Sequence, residues 1–156
     1  MHDKRTVVPA GGWTLVEFML ATALVGVLVA IGLPVYQRNI ERARVEQARA
    51  DLLAIRAGVL LARGPNLKLP DTLGSVPQVP TLDPWGHPYI YLYFGTPGVN
   101  RGSVRKDRNL VPINSEFDLY SSGKDGRSVP PLTARPSLDD IVVGRDGAFV
   151  GLAKDF

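Results

Sequence analysis

At 156 residues the chain has room for one compact domain, and part of that length is apolar enough to be spent in a membrane. It contains no cysteine, which excludes disulfide staples, thiolate metal sites and cysteine nucleophiles. A formal charge of +3 is too small to point to a nucleic-acid partner.

Met1 to Gly12 is short and polar, carries Lys4 and Arg5, and ends in two glycines. Trp13 to Leu33 follows as 21 residues in which Glu17 is the only charge. That length is enough for a helix to cross a hydrocarbon core. A carboxylate inside such a span is a functional site by default, because its desolvation costs about several kcal/mol unless a partner compensates it. In a secretory signal peptide the small-residue cleavage site follows the apolar stretch, which is then discarded. Here the small pair precedes it. Cutting after Gly12 would remove the basic leader, keep the apolar helix and place a new α-amino group on Trp13, four residues from Glu17.

The run Gly12-Trp13-Thr14-Leu15-Val16-Glu17 resembles the class III signal of type IV prepilins and type II secretion pseudopilins. The resemblance implies cleavage after Gly12 by a prepilin peptidase and N-methylation of Trp13, where the family usually carries Phe. It assigns Glu17 to assembly, as the countercharge for the amino terminus of a neighbouring subunit. Losing the leader would leave 16 basic and 14 acidic residues, a net charge of +2.

Helical spacing continues past the span. Ile40, Ala43, Ala48, Leu52, Ile55 and Val59 recur on one stripe, with Arg42, Glu46, Arg49 and Asp51 elsewhere. Gly64-Pro65 stops the pattern, so the spacing predicts a helix from Thr14 to about Ala62, roughly 70 Å long at 1.5 Å per residue. Pro34, with Gly32 beside it, predicts a kink or a locally melted turn at the membrane boundary. Gly26 and Ala30 form a small-xxx-small pair that permits close helix packing.

Asn66 to Pro84 reads as a loop, broken by Pro70, Pro77 and Pro80, whose apolar residues pack onto the amphipathic helix. Asp83-Pro84-Trp85-Gly86 predicts a turn. The stretch Asp83 to Tyr89 resembles an Asp-Pro-Trp-Gly-x-Pro-Tyr segment that precedes the first strand of major pseudopilins. Three strands are predicted, at Tyr89–Phe94, Glu116–Ser121 and Asp140–Val143. Gly123-Lys124-Asp125-Gly126 and Gly144-Arg145-Asp146-Gly147 read as Asp-Gly turns. A long helix followed by strands argues an α+β fold with a small antiparallel sheet laid across the second half of the helix, as in pilins. The expected organisation is a cleaved leader over 1–12, a membrane or filament-core helix over 13–34, an amphipathic helix over 35–63 and a globular region over 64–156.

Enzymatic sites are hard to find. His87, between Gly86 and Pro88, is the only imidazole outside the leader and reads as a surface residue, since a general base needs an oriented partner. Ser121-Ser122-Gly123-Lys124 lacks the first glycine and the Ser/Thr of a phosphate loop. Arg101, Arg105, Lys106 and Arg108 form a basic cluster without interleaved aromatics, which reads as a solvated loop.

Asp125, Asp139 and Asp140 are a candidate calcium set, because calcium takes carboxylates and carbonyls in flexible geometry. Phe117 to Gly126 with Asp139-Asp140-Ile141 is similar to the calcium loop of major pseudopilins, and that similarity adds the carbonyl of Ser122. The segment between Asp125 and Asp139 is longer than in the family and carries Pro130-Pro131. The alternative is that these acids are solvated turn residues neutralised by Lys124 and Arg127.

The resemblance implies a structural subunit of a type II secretion pseudopilus, stored in the inner membrane with its C-terminal region periplasmic and polymerised into a filament. Its implied partners are other copies of itself, prepilin peptidase, minor pseudopilins, the inner-membrane assembly platform and, before assembly, membrane lipid, with no nucleic acid. A type IV pilin or minor pilin of a surface pilus is the alternative.

Overall fold

The computed structural model describes residues 12–64 and 67–156. Residues 1–11 of the expected leader, and Pro65 and Asn66 at the predicted helix stop, lie outside the described residues.

Helix α1 spans Leu15–Leu61, 47 residues, and so ends within a residue of the expected position. It runs through Pro34 as one continuous helix, so of the kink or locally melted turn expected there, the melted turn does not form. Proline forfeits one hydrogen bond, and helical stretches of several turns on both sides hold the local geometry. Two compact units share the chain, residues 1–40 and 41–156. In the first, the apolar side chains stay exposed: Leu15 by 76% and Phe18 by 65%. Among the described residues, α1 is the one helix long and apolar enough to cross a membrane.

In the second unit a four-stranded antiparallel sheet has the order β1-β2-β3-β4. The strands are β1 (Ile90–Tyr93), β2 (Phe117–Ser121), β3 (Ile141–Gly144) and β4 (Phe149–Leu152). The first three match expectation. β4 was not expected; it pairs with β3 from Ile141↔Leu152 to Gly144↔Phe149, and the Arg145–Gly147 turn, read as an Asp-Gly turn, is the hairpin between them.

The pleat sends alternate residues of each strand to opposite faces. Phe117, Leu119, Ile141 and Val143 join Ala48, Leu52, Ile55 and Val59 of α1 in the main core. Tyr120 and Val142 face the other way and pack with Ile113, Leu132 and Ala153 in a second cluster. Ile40 and Ala43, read as part of the buried stripe, are exposed instead. The sheet measures only about 14 to 17 Å in either direction, and Ala48 to Val59 already spans about 16 Å of helix.

The proline-interrupted loop after α1 packs as expected, with Leu69 and Val76 buried in the main core. A Cβ on Gly58 of α1 would stand 2.8 Å from Val79 and 3.0 Å from Val76, so glycine is what lets the loop lie this close. Polar ties fix the same unit: Tyr89 donates its hydroxyl to Asp51 at 2.9 Å, and Arg63 pairs with Glu116 at 2.8 Å.

Candidate functional site

The first candidate site lies at the start of α1, where Gly12 and Trp13 are exposed. Thr14 caps the helix. Its Oγ1 accepts the Glu17 N–H at 3.2 Å, while Glu17 accepts the Thr14 N–H at 2.8 Å and the Thr14 hydroxyl at 2.9 Å. This is a capping box, in which a hydroxyl and a carboxylate three residues apart each satisfy a backbone donor left free at a helix start. The carboxylate also sits at the positive end of the helix dipole. Both donors to Glu17 are neutral, so among the described residues its negative charge is solvated by dipoles and meets no cation.

The turn before β1 has more internal structure than its sequence suggested. Asp83 is buried: its Oδ1 accepts the N–H groups of Trp85 at 3.0 Å and His87 at 2.8 Å, and its Oδ2 accepts the Ser121 hydroxyl at 2.5 Å. His87, expected on the surface, is half-buried; its Nδ1 lies 3.0 Å from the Gly123 carbonyl and 3.8 Å from Asp83. Trp85 donates its indole N–H to Glu41 of α1 at 3.1 Å. Asp83 thus joins the turn to β2, and His87 joins it to the acidic loop behind. Its sequence signal, an Asp opening an Asp-Pro-x-Gly turn, marks the turn but not the tie.

In the acidic loop the four expected calcium residues do not form one oxygen cage. Asp139 Oδ2 accepts the Asp125 N–H at 3.1 Å, and Asp125 Oδ1 accepts the Arg127 N–H at 2.8 Å, so both carboxylates serve turns. Ser122 is buried beside them, and Gly123 at φ +66° packs against the Asp139 backbone more tightly than a Cβ would allow. Asp140 turns inward. It is fully buried, and its Oδ2 accepts Arg105 Nη2 at 2.5 Å and the Ser128 hydroxyl at 2.6 Å. Among the described residues no three His, Asp or Glu side chains converge as a metal site requires. The donor set does not fit calcium as it stands.

Arg105 was read as part of a solvated basic loop, and the structure corrects that: it is 1% exposed. Its guanidinium lies over the Tyr120 ring at 4.4 Å, and Nη1 donates to Ser128 Oγ at 2.5 Å and to the Val129 carbonyl at 2.6 Å. Its backbone N–H goes to Asp118 at 2.6 Å, and its carbonyl accepts the Ile113 N–H at 3.1 Å. Burial pushes the carboxyls of Asp118 and Asp140 up to about 6, against the bonds that favour their charged forms. The sequence signal for Asp118 was available, since in β2 it shares the face of Tyr120 and not that of the main core. Arg105 had no such marker.

No family model and no solved structure matches this chain. Among curated proteins it is 30% identical to the type II secretion system core protein G of Pseudomonas aeruginosa, covering 74% of this chain and 84% of that protein. It is 26% identical to the protein of the same name from Escherichia coli K12, covering 74% and 82%. The type IV major fimbrial protein FimA of Dichelobacter nodosus is 29% identical, covering 78% and 73%. Together with a long N-terminal helix whose second half packs on a small antiparallel sheet, the first of these similarities shows that the chain belongs to the type II secretion system core protein G family, the major pseudopilins.

Proposed function

We propose that the chain is a non-enzymatic structural subunit, the repeating unit of a type II secretion pseudopilus. In this reading it is made with leader 1–12, inserted in the inner membrane with residues 41–156 in the periplasm, cut after Gly12 by prepilin peptidase and methylated on Trp13. An assembly platform then transfers it from lipid into a filament, where minor pseudopilins join it. The observation that carries this is the exposed apolar stretch opening at Glu17. Moving such a helix from lipid to a bundle of like helices keeps it dry, while the bundle supplies what lipid lacks, a neighbour's amino terminus for the carboxylate.

The similarity to FimA supports a second reading, a pilin of a surface pilus. The two separate in a deletion strain. Loss of exported proteins from the medium with surface pili intact supports the pseudopilus; loss of sheared pili with export intact supports the pilus. Mass spectrometry of the protein from wild-type cells tests processing. It should begin at N-methylated Trp13, and recovery of the intact leader from cells containing the peptidase would overturn the reading.

A further inference from the structure

We propose that the guanidinium of Arg105 is the resident cation of the acidic loop, so that this chain holds that loop in place without calcium. The observation is the kind of oxygen gathered around it. Calcium is held by carboxylate, carbonyl and hydroxyl or water oxygens brought in from separate stretches of chain. Arg105 gathers such a set: the carboxylate of Asp140, the hydroxyl of Ser128 and the main-chain carbonyl of Val129. Those groups come from the far side of the acidic loop and from the entry to β3. Its own backbone is fixed by Asp118 of β2 and by Ile113. One residue, through its side chain and its backbone together, therefore ties four segments: the acidic loop, the entry to β3, β2 and the stretch at Ile113.

A guanidinium suits this work because its donors lie in a rigid plane and its charge persists at every pH the fold meets. The plane also stacks on Tyr120, which a spherical ion cannot do. Among the described residues two buried polar atoms of the pair have no partner, Arg105 Nε and Asp140 Oδ1. Within the pair the charge of Asp140 is matched by that of the guanidinium bonded to it. A divalent cation at Asp140 would have to share that carboxylate with a fixed positive charge. The longer segment between Asp125 and Asp139 now has a role: it carries Ser128 and Val129 to the guanidinium, with Lys106 and Leu132 hydrogen-bonded alongside to Pro130 and Lys106.

The inference does not depend on which filament the chain builds. Its test uses the full-length protein in detergent micelles, with thermal unfolding of the globular unit followed in millimolar calcium chloride and in millimolar chelator. The expected midpoints agree within about 1 °C, whereas a saturated calcium site would separate them by about 5 to 10 °C. A rise of that size in the unsubstituted protein would overturn the proposal, as would calcium binding measured by titration calorimetry. Arg105→Ala and Asp140→Ala should each lower the midpoint by about 10 °C, since each strands a buried partner. The double variant should fall no further than the worse single, and an additive fall would show that the two do not act as a pair. Arg105→Lys, which keeps the charge and loses the fork, should recover part of the loss. The calcium comparison on the unsubstituted protein decides the matter even if Arg105→Ala does not fold.

Discussion

The two halves of α1 belong to one continuous helix and have opposite fates. Between Leu15 and Ile40 every large apolar side chain is exposed, whereas between Ala48 and Val59 one stripe is wholly buried against the sheet. Helix propensity does not distinguish them; what they face does. The second half is amphipathic because this chain supplies its cover. The first half is apolar all round, which in water would waste about 1.5 to 3 kcal/mol for each large side chain left uncovered. On the proposed function its cover comes from outside the chain, first from lipid and then from other copies.

The sharpest way to break this comparison is to alter Glu17, the one charge between Trp13 and Leu33. Glu17→Leu should leave membrane insertion intact, because the span becomes more apolar. It should leave the melting of the globular unit unchanged and lower filament yield more than about tenfold, since an interaction of even 1.4 kcal/mol is a factor of ten at each addition. Sheared or cross-linked filament measured by immunoblot reads this directly. Wild-type yield would remove the assembly role of the carboxylate and leave it as half of a capping box with Thr14.

Substitutions in the two halves should then act on different measurements. Ile55→Ala, at a position with no exposure, should destabilise the globular unit by about 2 to 5 kcal/mol through lost contact and the cavity left behind. Leu24→Ala, at 58% exposure, should leave that stability unchanged and affect only assembly. Chemical denaturation of both variants in the same detergent checks the pair. Equal losses would mean that the two stretches of helix melt as one unit.

The helix and the first three strands were legible because each carries its own periodicity or β-branched run; the capping box of Thr14 and Glu17 emerged only with the structure. β4 was not legible either. Phe149-Val150-Gly151-Leu152 is short and contains a glycine, and it becomes a strand through pairing with β3, which local sequence does not encode. The acidic loop failed for a related reason. Asp140 was recognised as a ligand-type residue, but its partner stands 35 positions earlier, in a basic run that reads as solvated. Nothing local separates a guanidinium bound for the interior from Arg108, three residues on, which stays exposed. What is written locally is legible; what depends on which loops meet is not.

A smaller effect sharpens the contrast at the glycines. Gly58→Ala should cost about 1 to 3 kcal/mol, because its Cβ would press on Val76 and Val79 in a packed core. Gly26→Ala, with nothing within 4 Å in one chain, should leave the globular unit's stability unchanged and show itself, if at all, in how closely neighbouring helices approach. Denaturant midpoints for both variants, with filament yield for the second, separate packing within the chain from packing between chains.

The smallest expected effect concerns protons, and it belongs to the globular unit alone. Asp118 and Asp140 are buried beside one guanidinium. Asp140 is bonded to that guanidinium, whereas Asp118 meets only the Arg105 backbone N–H and Asn114, so the charged form of Asp118 has the weaker support. Burial raises its carboxyl from 3.8 to about 6 in the folded chain. A carboxyl with a raised folded value binds its proton more tightly in the fold than in the unfolded chain. Its contribution to stability is therefore complete below its unfolded value and is lost as pH rises through about 6. Between about pH 7 and pH 5 the globular unit should gain about 1 kcal/mol from this group. Asp118→Asn keeps the shape, cannot titrate, and should remove that gain, so the difference between the two denaturation profiles isolates one side chain from every other titrating group. Parallel profiles across the window would mean that the bonds from Arg105 and Asn114 outweigh burial and keep Asp118 charged throughout.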